Sequence, residues 1–285
     1  MFRKRLNLKP NEFYKIEKED LDQGESEDEG DIDEGDDGDD ESDNIENRYK
    51  VKSLKSNKDK IKQPRCCEVG VLPKIPFGML VVGVTGSGKS VATISMLTNK
   101  YMLKNAFDFI VMWCGVKPDD NFVKELGIDK ENIKVDFTEE DVESYCTKLE
   151  KASSKNGKDF SKLPNCLFIF DDILNKPKFM KSKTMSKIAT AHRHMNLSYI
   201  LLSQYYKKVC PVVRTNVHGL MFLPSNQNEC IKFSEENCPA NMSQKEFLSI
   251  IQHCTKDQFS FMFVNKKAKN GEKIRHNFDK IVNTN

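Results

Sequence analysis

The stretch Met79-Leu80-Val81-Val82-Gly83-Val84-Thr85-Gly86-Ser87-Gly88-Lys89-Ser90 decides the fold of this chain. The apolar run over residues 79–84 predicts a buried strand. Apolar residues at helical spacing from Val91 to Leu103, with no proline or glycine among them, predict a helix. Between the two lies Gly-x4-Gly-Lys-Ser, the phosphate-binding P-loop pattern. The chemistry requires this order of strand, loop and helix. Gly83, Gly86 and Gly88 let the backbone curl so that successive N–H groups face phosphate oxygens. The helix N-terminus adds its positive dipole end. Lys89 reaches the β- and γ-phosphates, and the Ser90 hydroxyl ligates magnesium. Gly83, Val84, Thr85, Gly86, Ser87, Gly88, Lys89 and Ser90 are therefore the expected binding loop for ATP with Mg2+.

Two further stretches complete a candidate hydrolytic site. Leu167-Phe168-Ile169-Phe170-Asp171-Asp172 is an apolar strand ending in paired acids. A strand end beside a P-loop is where the water shell of the magnesium needs a carboxylate. Asp171 is assigned to that shell, and Asp172 to orienting or deprotonating the attacking water. Leu201-Leu202-Ser203-Gln204 ends another strand with an amide. Gln204 there can bond the γ-phosphate or the lytic water and report the state of the nucleotide.

Charge is unevenly spread along the 285 residues, whose formal net charge is +2. Residues 1–46 carry 19 acidic and 6 basic side chains; the remainder carries 24 acidic and 39 basic. An excess of positive charge on the folded part suits a polyanionic partner, although a lysine-rich proteome bias would produce it too. The acidic tail, residues 1–47, lacks hydrophobic periodicity and repels itself, so disorder is expected. It reads as a solubilising tail, a docking segment for a basic partner, or a mimic of DNA. Residues 48–70 read as a basic linker and residues 71–285 as the P-loop ATPase domain. The nine cysteines are too scattered for a disulfide framework, and no apolar run approaches the length of a bilayer span. A soluble protein of a reducing compartment is the expectation. Strands expected at 108–114, 133–137, 166–170, 197–203 and 218–223 alternate with helices at 138–151, 182–192 and 243–254. The pair 258–264 and 273–278 flanks Asn270-Gly271, a hairpin signal. The fold class is therefore α/β: a mostly parallel sheet with helices on both faces and a C-terminal antiparallel hairpin.

The P-loop, the Asp171-Asp172 strand, Arg193-His194-x-Asn196-x-Ser198, the Gln204 strand and Arg214-x-Asn216 occur in that order. Together they resemble the genome-packaging ATPases of poxviruses and other large double-stranded DNA viruses, within the FtsK–HerA superfamily. The resemblance covers residues 71–225. It implies a RecA-like core that works as a homo-oligomeric ring, usually a hexamer, and threads double-stranded DNA into a preformed capsid. By that resemblance the partners are DNA and capsid or portal proteins, and the location is the virion or the cytoplasm of the infected cell. Ring motors of this kind use a neighbouring subunit's arginine to offset charge on the transferring phosphoryl group. Arg193 and Arg214 are the candidates and Arg193 is preferred, since Leu220 stands where the superfamily carries its later arginine.

Other readings are weaker. A cellular or plasmid translocase or helicase of the same superfamily shares the motifs. A GTP-dependent switch would need Asn-Lys-x-Asp, which neither Asn99-Lys100-Tyr101-Met102 nor Asn175-Lys176-Pro177-Lys178 supplies. A nucleotide-gated scaffold would not need the paired acids. Tyr205-Tyr206-Lys207-Lys208 reads either as a nucleic-acid loop or as the start of a helix. Lys266, Lys267, Lys269 and Lys273 form a basic hairpin tip that could touch DNA or keep a sheet edge soluble.

Overall fold

The computed structural model describes residues 61–157 and 159–282. The expectations for the acidic tail, and for residues 48–60 of the basic linker, fall outside them. Nine strands form one sheet: β1 (Gly78–Val82), β2 (Phe109–Cys114), β3 (Ile133–Val135), β4 (Cys166–Asp171), β5 (Leu197–Ser203), β6 (Gly219–Phe222), β7 (Met262–Asn265), β8 (Ile274–His276) and β9 (Lys280–Ile281). Their order across the sheet is β3-β2-β4-β5-β1-β6-β7-β8-β9. Pairings from β3 through β6 are parallel, and those from β6 to β9 are antiparallel. The expected hairpin is β7–β8, and β9 extends it by a strand that the sequence reading lacked.

A parallel sheet is covered on both faces, so its inner strands are buried on both sides. All five residues of β1 and all seven of β5 are buried. Alternate residues face opposite ways. Leu80 and Val82 join one core with Trp113, Phe168 and Phe222, while Met79 and Val81 join the other with Met112, Ile169 and Ile200. In the first core Trp113 meets Phe137, Tyr145 and Phe168 edge-on, with ring centroids 5.3, 5.3 and 5.7 Å away. Such contacts add roughly 0.5–1.5 kcal/mol each beyond the area they bury. Gly78 opens β1 because Tyr199 crosses it: a methyl group there would lie 2.5 Å from the tyrosine ring.

Local signals place the helices. Thr138 caps Glu139–Lys155 in a capping box with Asp141, and Ser243 caps Gln244–Cys254 in another with Glu246. The helix after the P-loop is shorter than its apolar spacing predicts. It spans Lys89–Thr98 and gives way to a turn before Leu103. Helices Asp120–Leu126, Pro211–Asn216 and Gln227–Asn237 are additions to the sequence reading. Among the described residues no helix is long and apolar enough to cross a membrane.

Residues just before the boundary expected at 71 also pack against the sheet. Ile61, Cys66 and Cys67 are buried in the second core, and Gln63 exchanges two 2.8 Å hydrogen bonds with the backbone of Ile75. The last part of the expected linker thus belongs to the folded unit, because its apolar side chains cover the sheet beside Leu72 and Phe77.

Candidate functional site

Strand order builds the site. β5 lies between β1 and β4, with Val82 opposite Ser203 and Asp171 opposite Leu202. All three strands run the same way, so their carboxyl ends bring Gly83, Asp171-Asp172 and Ser203-Gln204 into one row. A crevice outside the carboxyl ends of parallel strands is where open α/β sheets bind ligands.

The loop after β1 has the curled backbone that the pattern predicts. Gly86 and Gly88 have φ of +77° and +97°, which side chains with a Cβ rarely adopt. Gly83 is needed for a different reason. A Cβ there would lie 2.5 Å from Ser87 Oγ and 2.8 Å from Leu223 Cβ, so close approach rather than dihedral freedom excludes other residues. Lys89 Nζ folds back to donate to the carbonyls of Gly83 at 2.8 Å and Val84 at 3.0 Å. Burial lowers its pKa, and the charges of Asp171 and Asp172 oppose that shift. Ser87 Oγ is buried inside the loop without a hydrogen-bond partner.

The acids differ in environment. Asp171 closes β4, and its backbone carbonyl accepts from Gly115 N–H at 3.0 Å. Burial, and next the charge of Asp172, raise its pKa to about 6, with Lys89 pulling the other way. Asp172 turns out of the strand at φ +49°. Gln204 Nε2 donates to both of its carboxylate oxygens, at 3.1 and 3.2 Å. The amide that was expected on phosphate or water thus bonds Asp172 in this structure. Gly115 and Asn175 escaped the sequence reading. Asn175 Nδ2 donates to the Gly115 carbonyl at 2.9 Å, and a Cβ on Gly115 would come within 2.1 Å of the Asp172 carbonyl. Their signal was a glycine following an apolar strand.

These residues fit ATP and magnesium. The loop offers a buried hydroxyl and a lysine held only by carbonyls, while Ser90 and Asp171 supply oxygen donors suited to a hard cation.

The two candidate arginines lie elsewhere. Arg193 is exposed in the turn before β5, at the amino end of the sheet. The length of β1, five residues at about 3.3 Å each, separates that end from the loop. It borders a cavity of about 660 Å³ whose wall also includes Gln63, Lys74, His218, Lys267 and Lys269. Arg214 is 8% exposed and grips Glu236 with two nitrogens, Nε to Oε2 at 2.8 Å and Nη2 to Oε1 at 2.9 Å. It also donates to the Val209 carbonyl. Burial works against the charge of Glu236, but hydrogen bonds from Arg214, Lys207 and Tyr206 outweigh it and hold the carboxyl at about 2. Arg214, one of the two arginines expected as a finger, is thus paired with Glu236 of its own chain.

The Tyr205–Lys208 segment is a turn rather than a helix start. Tyr206 is fully buried against Phe233, so its ring is closed to bases, while Tyr205 is exposed under the Lys208 ammonium. In the basic hairpin, Lys266 turns inward to the Arg214 carbonyl at 3.2 Å.

Comparison with known proteins adds four matches. The family model described as Poxvirus A32 protein matches residues 68–275. DNA packaging protein OPG160 of Variola virus is 30% identical over 156 residues, 51% of this chain and 52% of that protein. Protein 075L of Invertebrate iridescent virus 6 is 22% identical over 199 residues, 70% of this chain and 74% of that protein. The chain thus spans about half the length of its poxvirus relatives. Among solved structures, B204, the DNA-packaging ATPase of Sulfolobus turreted icosahedral virus, aligns with a TM-score of 0.49 at 14% identity, covering 70% of this chain and 96% of that one.

Proposed function

Because this chain belongs to the poxvirus A32 protein family, we propose that it hydrolyses ATP to drive double-stranded DNA into a viral capsid. The observation that supports this most is the row of Lys89 and Ser90, Asp171 and Asp172, and Gln204 at adjoining strand ends. In this reading Lys89 leaves the carbonyls of Gly83 and Val84 for the β- and γ-phosphate oxygens. Ser90 and Asp171 would hold magnesium, which would supply positive charge to offset that on the phosphates. Asp172, aimed by Gln204, accepts a proton from the water that attacks the γ-phosphate in line. Loss of the γ-phosphate alters the Gln204–Asp172 hydrogen bonds, and the strain passes to Tyr205 and Tyr206, whose N–H bonds Glu229 at 2.7 Å. Arg193, exposed at the amino end of the sheet, is the candidate arginine placed to serve a neighbouring subunit in a ring. The positive excess outside residues 1–46 suits DNA phosphates.

The test is ATP hydrolysis by wild type and Lys89→Ala, with and without long duplex DNA, at two salt concentrations. Stimulation by duplex that is lost in the variant and weakened by salt is the expected result. Hydrolysis indifferent to DNA at both salts would set aside the motor and leave an ATPase of another purpose.

A further inference from the structure

We infer that Phe259, outside every motif above, is the platform on which the base of the bound nucleotide stacks; the inference rests on the P-loop holding the phosphates. Phe259 lies against the loop itself. A methyl group on Gly88 would sit 2.9 Å from its Cδ1 and 3.5 Å from its Cβ, so the ring edge covers the glycine directly before Lys89. A nucleotide whose phosphates fill the loop must carry its ribose and base out past the loop's rim, and Phe259 stands at that rim. The side chain is 52% exposed, so a face of the ring is open to a ligand lying across the rim.

The backbone adds a second, independent observation. Ser260 N–H bonds the Asp257 carbonyl at 3.1 Å and closes a four-residue turn, with Phe259 at its third position. There φ is +65°, the left-handed conformation that glycine adopts freely and a phenylalanine adopts only under strain. Neither burial nor turn chemistry asks for an aromatic residue at this point. Stored strain of this kind gathers at ligand-binding positions. What a phenyl ring offers at the rim of a phosphate loop is a π-face for a nucleobase, and every base can use it.

The experiment measures equilibrium binding of ATP and of inorganic tripolyphosphate to the full chain, with magnesium. Wild type is compared with Phe259→Ala, Phe259→Gly and Phe259→Trp. The alanine and glycine variants should bind ATP about tenfold more weakly, equivalent to about 1.4 kcal/mol. The tryptophan variant should stay within about twofold of wild type. Tripolyphosphate, which has no base, should bind all four proteins alike. Phe259→Gly should melt no lower than wild type, because glycine relieves the turn; that keeps the test clear of unfolding. Unchanged ATP affinity in the alanine and glycine variants would overturn the inference. So would equal losses of ATP and tripolyphosphate, which would make Phe259 a residue that shapes the loop. Wild type binding neither ligand would remove the nucleotide reading itself, a result distinct from both.

Discussion

Replacing Asp171 with asparagine should stabilise the nucleotide-free protein while abolishing magnesium-dependent hydrolysis. The carboxyl of Asp171 is pushed from its ordinary value of 3.8 to about 6, first by burial and then by Asp172, against the pull of Lys89. A shift of roughly two pH units corresponds to about 3 kcal/mol, at 1.36 kcal/mol per unit. That is a ceiling on the cost of the ionised form at neutral pH. The sign runs opposite to that of a paired carboxylate. Between pH 4 and 6 the folded state binds more protons than the unfolded state, so Asp171 favours folding below that window and opposes it above. Asparagine has nearly the same shape and no charge at any pH. Allowing for relaxation and water penetration, Asp171→Asn should gain about 1–2 kcal/mol at pH 7.5, roughly 3–6 °C in melting temperature for a domain of this size. Thermal melts of both proteins from pH 5 to 8, without nucleotide or magnesium, would measure this. The gap between them should begin to narrow as pH falls below 6 and reach roughly half its neutral-pH size by pH 5, and other carboxylates cancel in the difference. A variant that melts below wild type at pH 7.5, or a gap indifferent to pH, would refute the reasoning. Magnesium-ATP should then raise the melting temperature of wild type more than that of the variant.

Two further predictions separate roles within and outside the row. Gln204→Glu replaces the amide donor on Asp172 with a like charge, so kcat should fall by about 10²-fold with KM changed less than about threefold, recovering in part toward pH 6 as the new carboxyl protonates; steady-state kinetics across pH 6–8 would check it. Arg214→Ala leaves Glu236 charged without its main partner and should cost about 3 kcal/mol in urea unfolding, whereas Arg193→Ala should stay within about 0.5 kcal/mol of wild type and lose hydrolysis only where subunits assemble; the reverse ranking would undo the assignment of the two arginines.

What the sequence determined by itself was whatever depends on neighbours along the chain. The P-loop, the buried strands entering it and ending at Asp171, and the capped helices after Thr138 and Ser243 were all legible. Dihedral needs, side-chain period and capping hydrogen bonds act over a few residues, and they leave their mark there. The helix Gln227–Asn237 carried a readable signal, the Asn226 side chain that caps it by accepting from Glu229 N–H, and it went unread. The tertiary structure alone decided that β5 runs between β1 and β4, and hence that Gln204 reaches Asp172. It also decided that Arg214 is held by Glu236, that Ile61 is core rather than linker, and that Phe259 covers Gly88. Each of these joins residues far apart in the chain. Strand order and long-range contact follow from which hydrophobic faces pack together, and no local period encodes that choice. The sequence thus carried the loop and the paired acids themselves, while the packing of the sheet determined which side chains surround them.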